Sequence, residues 1–322
     1  MKKRVILMAL LVTICICHCK KEDVTSFPQR QLKSYSFNAA LPLGERLLDP
    51  PSVVIEAWKK FDKREDYMPH RFSVNERMMF TRNLKHLPPL NKKILEERLI
   101  GFYFIDNFLG SAAADWVLDE NKKLYFYIIF NPKVLTMSLS EVLTWREQSC
   151  FIPESGYSVE VDCGKGHDGI LYALLHETTH VVDYTLKITP YVEKEMVPFL
   201  HLSEESTGFV RGIWKDIGTT EVEYAYRKNL AFYGLGGGPK IHLPDAEKIY
   251  REFCESPFVS LYGSMTWAED IADMVTFYHL TEKMHLPYAV RFFKGKRELF
   301  RCDPMEKVAV RKRLAHMERF YF

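Results

Sequence analysis

The strongest constraint on this chain is the run from Ile170 to Leu186, a helix-length apolar segment in which Leu171, Leu174, Leu175, Val181 and Val182 surround His176, Glu177, His180 and Asp183. A segment this apolar is expected inside a folded domain. Its polar groups then need partners, and a metal ion satisfies several of them at once. His176 and His180 are four residues apart, so a helix projects both imidazoles from one face, within reach of a single Zn²⁺. Glu177 follows the first histidine directly, where its carboxylate can take a proton from a water activated by the ion rather than bind the ion. That is a general-base position, from which the proton would pass to a leaving amine. The bland alternative is a helix with two hydrogen-bonded histidines and a surface glutamate.

A catalytic zinc site needs a third protein ligand and an open position. One class is excluded at once, because Leu186 stands six residues beyond His180, where a His or Asp would be required. The segment Trp267-Ala268-Glu269-Asp270-Ile271-Ala272-Asp273 offers Glu269 as ligand, with Asp273 on the same helical face to accept a hydrogen bond from a ligand histidine and fix its tautomer. Asp183, three residues after His180, shares the ligand face and is a second candidate for that supporting role. A rival third ligand is Glu221, since Gly218-Thr219-Thr220-Glu221-Val222-Glu223-Tyr224 resembles the Gly-Thr-x-Asp-x-x-Tyr segment of aspzincin peptidases with Glu in place of Asp.

His176-Glu177-x-x-His180 with Asp183, then Phe258-Val259-Ser260-x-Tyr262-Gly263 and Glu269-Asp270-x-Ala272-Asp273, resembles the catalytic domain of the anthrax lethal factor-like gluzincin peptidases. The resemblance implies a zincin-like fold, one zinc per chain on His176, His180 and Glu269, and hydrolysis of a peptide bond. It also implies a role for Tyr262, seven residues before Glu269 as in that family: its hydroxyl would donate to the oxyanion that develops at the attacked carbonyl. The interval from His180 to Glu269 is longer than in the family, which implies an insertion near residues 190–250.

The N-terminus reads separately from the rest. Lys2, Lys3 and Arg4 precede an apolar run from Val5 to Ile16, the order of a secretory signal. The run is shorter than the roughly 20 residues a bilayer span needs. Cys19, followed by Lys20-Lys21-Glu22-Asp23, resembles the acylated first residue of a bacterial lipoprotein, although His18 stands where a small residue is usual. Residues 1–18 are therefore expected to be a signal peptide and 19–50 a tether or extended arm. A protein of this kind is exported and lipid-anchored in a bacterial cell envelope, with the outer membrane as one destination, or secreted where acylation does not occur. In such a compartment Cys150, Cys163, Cys254 and Cys302 favour disulfides. Three pairings are open; proximity in sequence favours Cys150–Cys163 and Cys254–Cys302.

Across the 322 residues, 44 basic and 42 acidic side chains leave a net charge of +2, with no basic block to suit nucleic acid. Helical periodicity is expected from Ser52 (Val53, Val54, Ala57, Trp58, Phe61) and from Asn91 (Ile94, Leu95, Leu99). Strands are expected over Phe102–Leu109 and, as a hairpin turning at Asp119–Lys122, through Trp116–Val117 and Leu124–Phe130. Ser138-x-x-Glu141 has the form of a capping box opening a helix to about Glu147. Further helices are expected over 204–215, 245–254, 268–283 and 306–320. The expectation is one α+β domain over 51–322, helical up to about residue 100, with a short mixed sheet packed on the zinc helix and a mostly helical C-terminal half. The expected activity is a zinc peptidase taking a peptide or protein substrate as an extended strand along a sheet edge. Its competitors are a non-catalytic zincin-fold surface lipoprotein that binds a partner, and a zinc amidase acting on an envelope amide.

Overall fold

The computed structural model describes residues 24–190 and 208–322. The expected signal segment at 1–18 and Cys19 lie outside the described residues.

The chain forms an α+β assembly of small sheets and helices. Helix α1 (Ser52–Asp62) is followed by the short strand β1 (Met68–Pro69), helices α2 (Val74–Leu84) and α3 (Pro89–Arg98), and strands β2 (Leu99–Asp106), β3 (Ala112–Leu118) and β4 (Leu124–Phe130). The strands lie in the order β1-β2-β4-β3. β2 runs parallel to β4, while β1 and β3 pair antiparallel to their neighbours. Strand alternation gives this sheet two apolar faces. Phe102, Phe104, Phe126, Ile128 and Phe130 face the main core, and Tyr103, Ile105, Tyr125, Tyr127 and Ile129 face a second one under α1.

The second core explains why residues 24–50 are packed rather than a loose tether. Tyr35, Phe37 and Leu48 lie against it, and the arm forms single bridges from Gln31 to Leu118 and from Leu47 to Phe102. Arg46 pins the arm down. It is 1 % exposed and donates to the carbonyls of Ala39, Leu41, Leu95, Glu96 and Leu99 at 2.6–3.0 Å. Leu95 and Glu96 lie in the last turn of α3, at the negative end of the helix dipole, where a cation is favoured. Arg46→Met should therefore lower unfolding stability by about 3 kcal/mol, because buried carbonyls lose charge-assisted hydrogen bonds. Urea denaturation followed by circular dichroism would measure it.

Next come α4 (Leu139–Gln148), β5 (Phe151–Ile152), β6 (Tyr157–Asp162) and α5 (Ile170–Leu186). Both hydrogen bonds of the capping box expected at Ser138 and Glu141 are present. After the second described segment begins, β7 (Ile241–His242), α6 (Ala246–Cys254), α7 (Trp267–Tyr278), β8 (Ala289–Lys294), β9 (Arg297–Cys302) and α8 (Val308–Arg311) complete the chain. β6, β8 and β9 form an antiparallel sheet, so the C-terminal half is less helical than expected.

Other expectations fail for identifiable reasons. Over 208–215 the chain turns instead of coiling, with Gly212 in the left-handed region at φ +75°. The expected helix at 306–320 breaks into α8 and a 3₁₀ stretch, Leu314–Tyr321. At the break Arg313 turns inward and pairs with Asp270 at 2.5 Å. Phe61 is 75 % exposed, off the buried stripe of α1. Of the expected disulfides only Cys254–Cys302 forms, joining the ends of α6 and β9. Cys150 and Cys163 are free thiols. Each has its own setting, Cys150 beyond the end of α4 and Cys163 beyond β6 with its N–H held by Ser140. Burial pushes the Cys150 thiol up to about 12 and Cys163 well above the usual range.

Candidate metal centre

Helix α5 carries the site because almost every side chain along it is buried, including His176 and His180 at 3 % and 8 % exposure. The two threonines between the histidines anchor the helix to its neighbour: Asn91 of α3 donates to Thr178 Oγ1 at 2.9 Å and to Thr179 Oγ1 at 3.4 Å. α7 packs against α5 and begins at Thr266, whose hydroxyl accepts the Glu269 N–H at 3.2 Å. Glu269 thus sits in the first turn of α7, where the helix dipole favours a carboxylate.

His176, His180 and Glu269 form a group that could hold a metal ion, with one donor atom from each lying within 4.8 Å of the others. The Nε2 atoms of the two histidines are 3.2 Å apart. Glu269 Oε2 lies 3.0 Å from His176 Nε2 and 3.6 Å from His180 Nε2. Tetrahedral zinc with bonds of about 2.0–2.1 Å sets its ligands about 3.3 Å apart, and the three separations bracket that value. Donor chemistry points the same way. His176 Nδ1 lies 2.8 Å from Asp273 Oδ1, so a neutral imidazole donates there and turns a lone pair at Nε2 toward Glu269 and His180. Three acceptors then converge on one point, which calls for a cation. Without one, a proton fills the need. Burial works to lower the His176 pKa, yet hydrogen bonds to Asp273 and Glu269 hold it at about 10. Burial likewise works to raise the Glu269 carboxyl, and hydrogen bonds from His176 and His180 hold it well below the usual range.

Asp273 is the hub of the support around this group. Besides His176 it accepts from Arg146 Nη1 at 2.8 Å, from the Tyr172 hydroxyl at 3.2 Å and from the Ser260 hydroxyl. Arg146 also pairs with Glu147 at 3.0 Å, and Glu147 accepts from the Tyr250 hydroxyl at 2.6 Å. Ser260 in turn accepts the Gly263 N–H at 2.7 Å. A Cβ on Gly263 would sit 3.1 Å from Ser260 Oγ and 3.3 Å from Asp273 Cβ, so the close approach suits glycine.

Glu177 is 5 % exposed. Burial leaves its pKa raised, outweighing His176, His180 and the Ala114 N–H of β3, which lie near enough to favour its carboxylate. Tyr262 packs its ring 5.7 Å from that of His176 and 5.1 Å from Phe232, and burial pushes its phenol pKa well up.

Asp183 does not support a histidine. Its carboxylate accepts from the Thr189 N–H and hydroxyl, both at 2.7 Å. It thereby ties the turn after α5, where Lys187 is left-handed at φ 56°, back to the helix. His180 Nδ1 is buried without a partner among the described residues. Glu221 is exposed and outside the group.

Arg146, Glu147, Tyr172 and Tyr250 escaped the sequence reading. Two of them left a signal: Leu139, Val142, Leu143 and Arg146 fall on one helical stripe, so a charge lies among apolar residues, and Tyr172 is one turn before His176. Set against protein-family models, curated proteins and solved structures, the chain matches none of them.

Proposed function

We propose that this chain is a zinc-dependent peptidase of the gluzincin kind with a zincin-like fold. The observation that carries the reading is the convergence of His176, His180 and Glu269 at zinc-ligand separations, beside the buried carboxylate of Glu177. When bound, zinc would supply Lewis acidity toward a water and toward the substrate carbonyl. Glu177 would receive the proton of the attacking water and return it to the departing nitrogen, as a buried carboxylate beside the metal group can. Tyr262 would offer its hydroxyl to the carbonyl oxygen as negative charge develops there. Asp273 would hold His176 with Nε2 free for the ion, itself held by Arg146, Tyr172 and Ser260.

A peptide is favoured over other amides because β3 is the outer strand of its sheet and packs against α5, the helix that carries Glu177. An extended peptide could lie along that strand and gain main-chain hydrogen bonds. The N-terminal charge-then-apolar order followed by Cys19 supports export and a lipid anchor in a bacterial envelope, and radiolabelled palmitate incorporated by wild type but not by Cys19→Ala would bear this out.

The test of activity is hydrolysis of a random peptide mixture, abolished by a chelator and restored by zinc. A zinc-loaded, folded protein that leaves every peptide intact would sink the reading. Tyr262→Phe should lower kcat by about 10²-fold with little change in KM, as expected when a donor to a developing oxyanion is lost. Steady-state kinetics on any peptide so identified measures this.

A further inference from the structure

The ends of β3 reveal which of its backbone groups face outward. The Ser111 carbonyl accepts from Asn131 N–H at 2.9 Å, and Asp119 N–H donates to the Lys123 carbonyl at 3.1 Å. Odd-numbered residues of β3 therefore pair with β4. By the period-two alternation of a strand, Ala112, Ala114, Trp116 and Leu118 turn their N–H and C=O groups to the open edge.

Much of that edge is already engaged by the chain itself. Trp116 N–H donates to Asp115 Oδ1 at 2.9 Å, and its carbonyl accepts from Arg30 Nη1 at 3.0 Å. Arg30 and Asp115 pair directly, and the guanidinium lies 4.1 Å over the Trp116 ring. Leu118 forms its parallel bridge with Gln31. The N-terminal arm thus closes the edge from Trp116 onward. Ala112 and the Ala114 carbonyl lie before the closure, on a strand that packs against α5 and whose Ala114 N–H lies near Glu177.

We propose that the clasp of Arg30 on Asp115 and Trp116 is a length gate restricting the site to bonds near the N-terminus of a peptide. The proposal rests on the peptidase reading and adds the substrate class. A strand bound antiparallel to β3, the more stable pairing, places its N-terminal side toward Trp116. From Ala114 to Trp116 there is room for about two residues at roughly 3.3 Å each. A longer N-terminal extension meets the arm. On the Ala112 side the peptide continues toward its C-terminus.

The test separates the gate from the catalysis. Metal-free Glu177→Gln protein is used to select the tightest binder from a hexapeptide library, which is then lengthened by four residues at either end. N-terminal lengthening should weaken binding about tenfold, the loss of one or two edge hydrogen bonds, while C-terminal lengthening should not. Arg30→Ala should remove the difference. Equal binding of both lengthened peptides, a penalty at the C-terminus instead, or no peptide binding at all overturns the gate. Digestion of the same library by zinc-loaded wild type then addresses the parent reading. Cuts confined to the first two bonds support the gate, and cuts spread along the peptides overturn it. Length-dependent binding with no cleavage keeps the gate and removes the peptidase.

Discussion

Glu177→Gln protein should keep its metal and lose turnover by about three orders of magnitude, within the range a positioned general base contributes. The amide matches the carboxylate in size, so α5 should keep its place. Neither metal donor on the helix is altered, because Glu177 lies outside the group formed by His176, His180 and Glu269. What disappears is proton acceptance, and an amide has no useful basicity near neutral pH. The drop should therefore appear in kcat, with KM nearly unchanged. Zinc content by elemental analysis and peptide hydrolysis on the same preparation check both halves. Activity retained within a few-fold would show that another group takes the proton.

Asp273→Asn should be the most damaging single substitution outside the ligands. Arg146 and Asp273 are both fully buried, and removing one partner of such a pair costs about 3–5 kcal/mol because the other charge stays buried without compensation. Glu147 offsets part of this loss, since it pairs with the same guanidinium. The second effect is on the metal: an amide at 273 can present its NH₂ to His176 Nδ1 and so favour the wrong tautomer. Loss of such a support typically weakens metal binding by about 10–100-fold. Urea denaturation of metal-free protein measures the first effect and zinc titration against a chromophoric chelator the second. Wild-type zinc affinity in the variant would mean that Asp273 only packs.

Much of the candidate site was legible because helix periodicity is a local property. The bounds of α5 agree with the apolar run from Ile170 to Leu186, and the spacing of His176 and His180 needed only the pitch of a helix. Glu269 and Asp273 could be named for the same reason, being one turn apart. Arg146 was harder, since it reaches Asp273 from 127 positions away in the chain, and no local pattern encodes such a meeting. Asp183 shows the opposite failure. It lies on the correct side of the helix, yet Thr189 in the following turn satisfies its carboxylate.

The fold was readable where local signals were strong. The capping box at Ser138 foretold α4, and the same signal at Ser73 and Glu76, which caps α2, was there to be read. The sheet of β6, β8 and β9 went unseen because it joins segments far apart in the chain, with partners such as Val161 and Val290. Of the two expectations for residues 19–50, tether or extended arm, the sequence could not favour the packed arm because its anchor is Arg46, and a charged residue in a proline-containing stretch reads as exposed until its carbonyl partners are known.

The central claim is that His176, His180 and Glu269 hold a catalytic zinc. X-ray absorption at the zinc edge on protein loaded and desalted tests it most directly. The expected result is equimolar zinc with two imidazole nitrogens and carboxylate or water oxygens at about 2.0–2.1 Å, lost in both His180→Ala and Glu269→Ala. Folded wild-type protein that retains no zinc, or zinc whose coordination is unchanged by those substitutions, would contradict it.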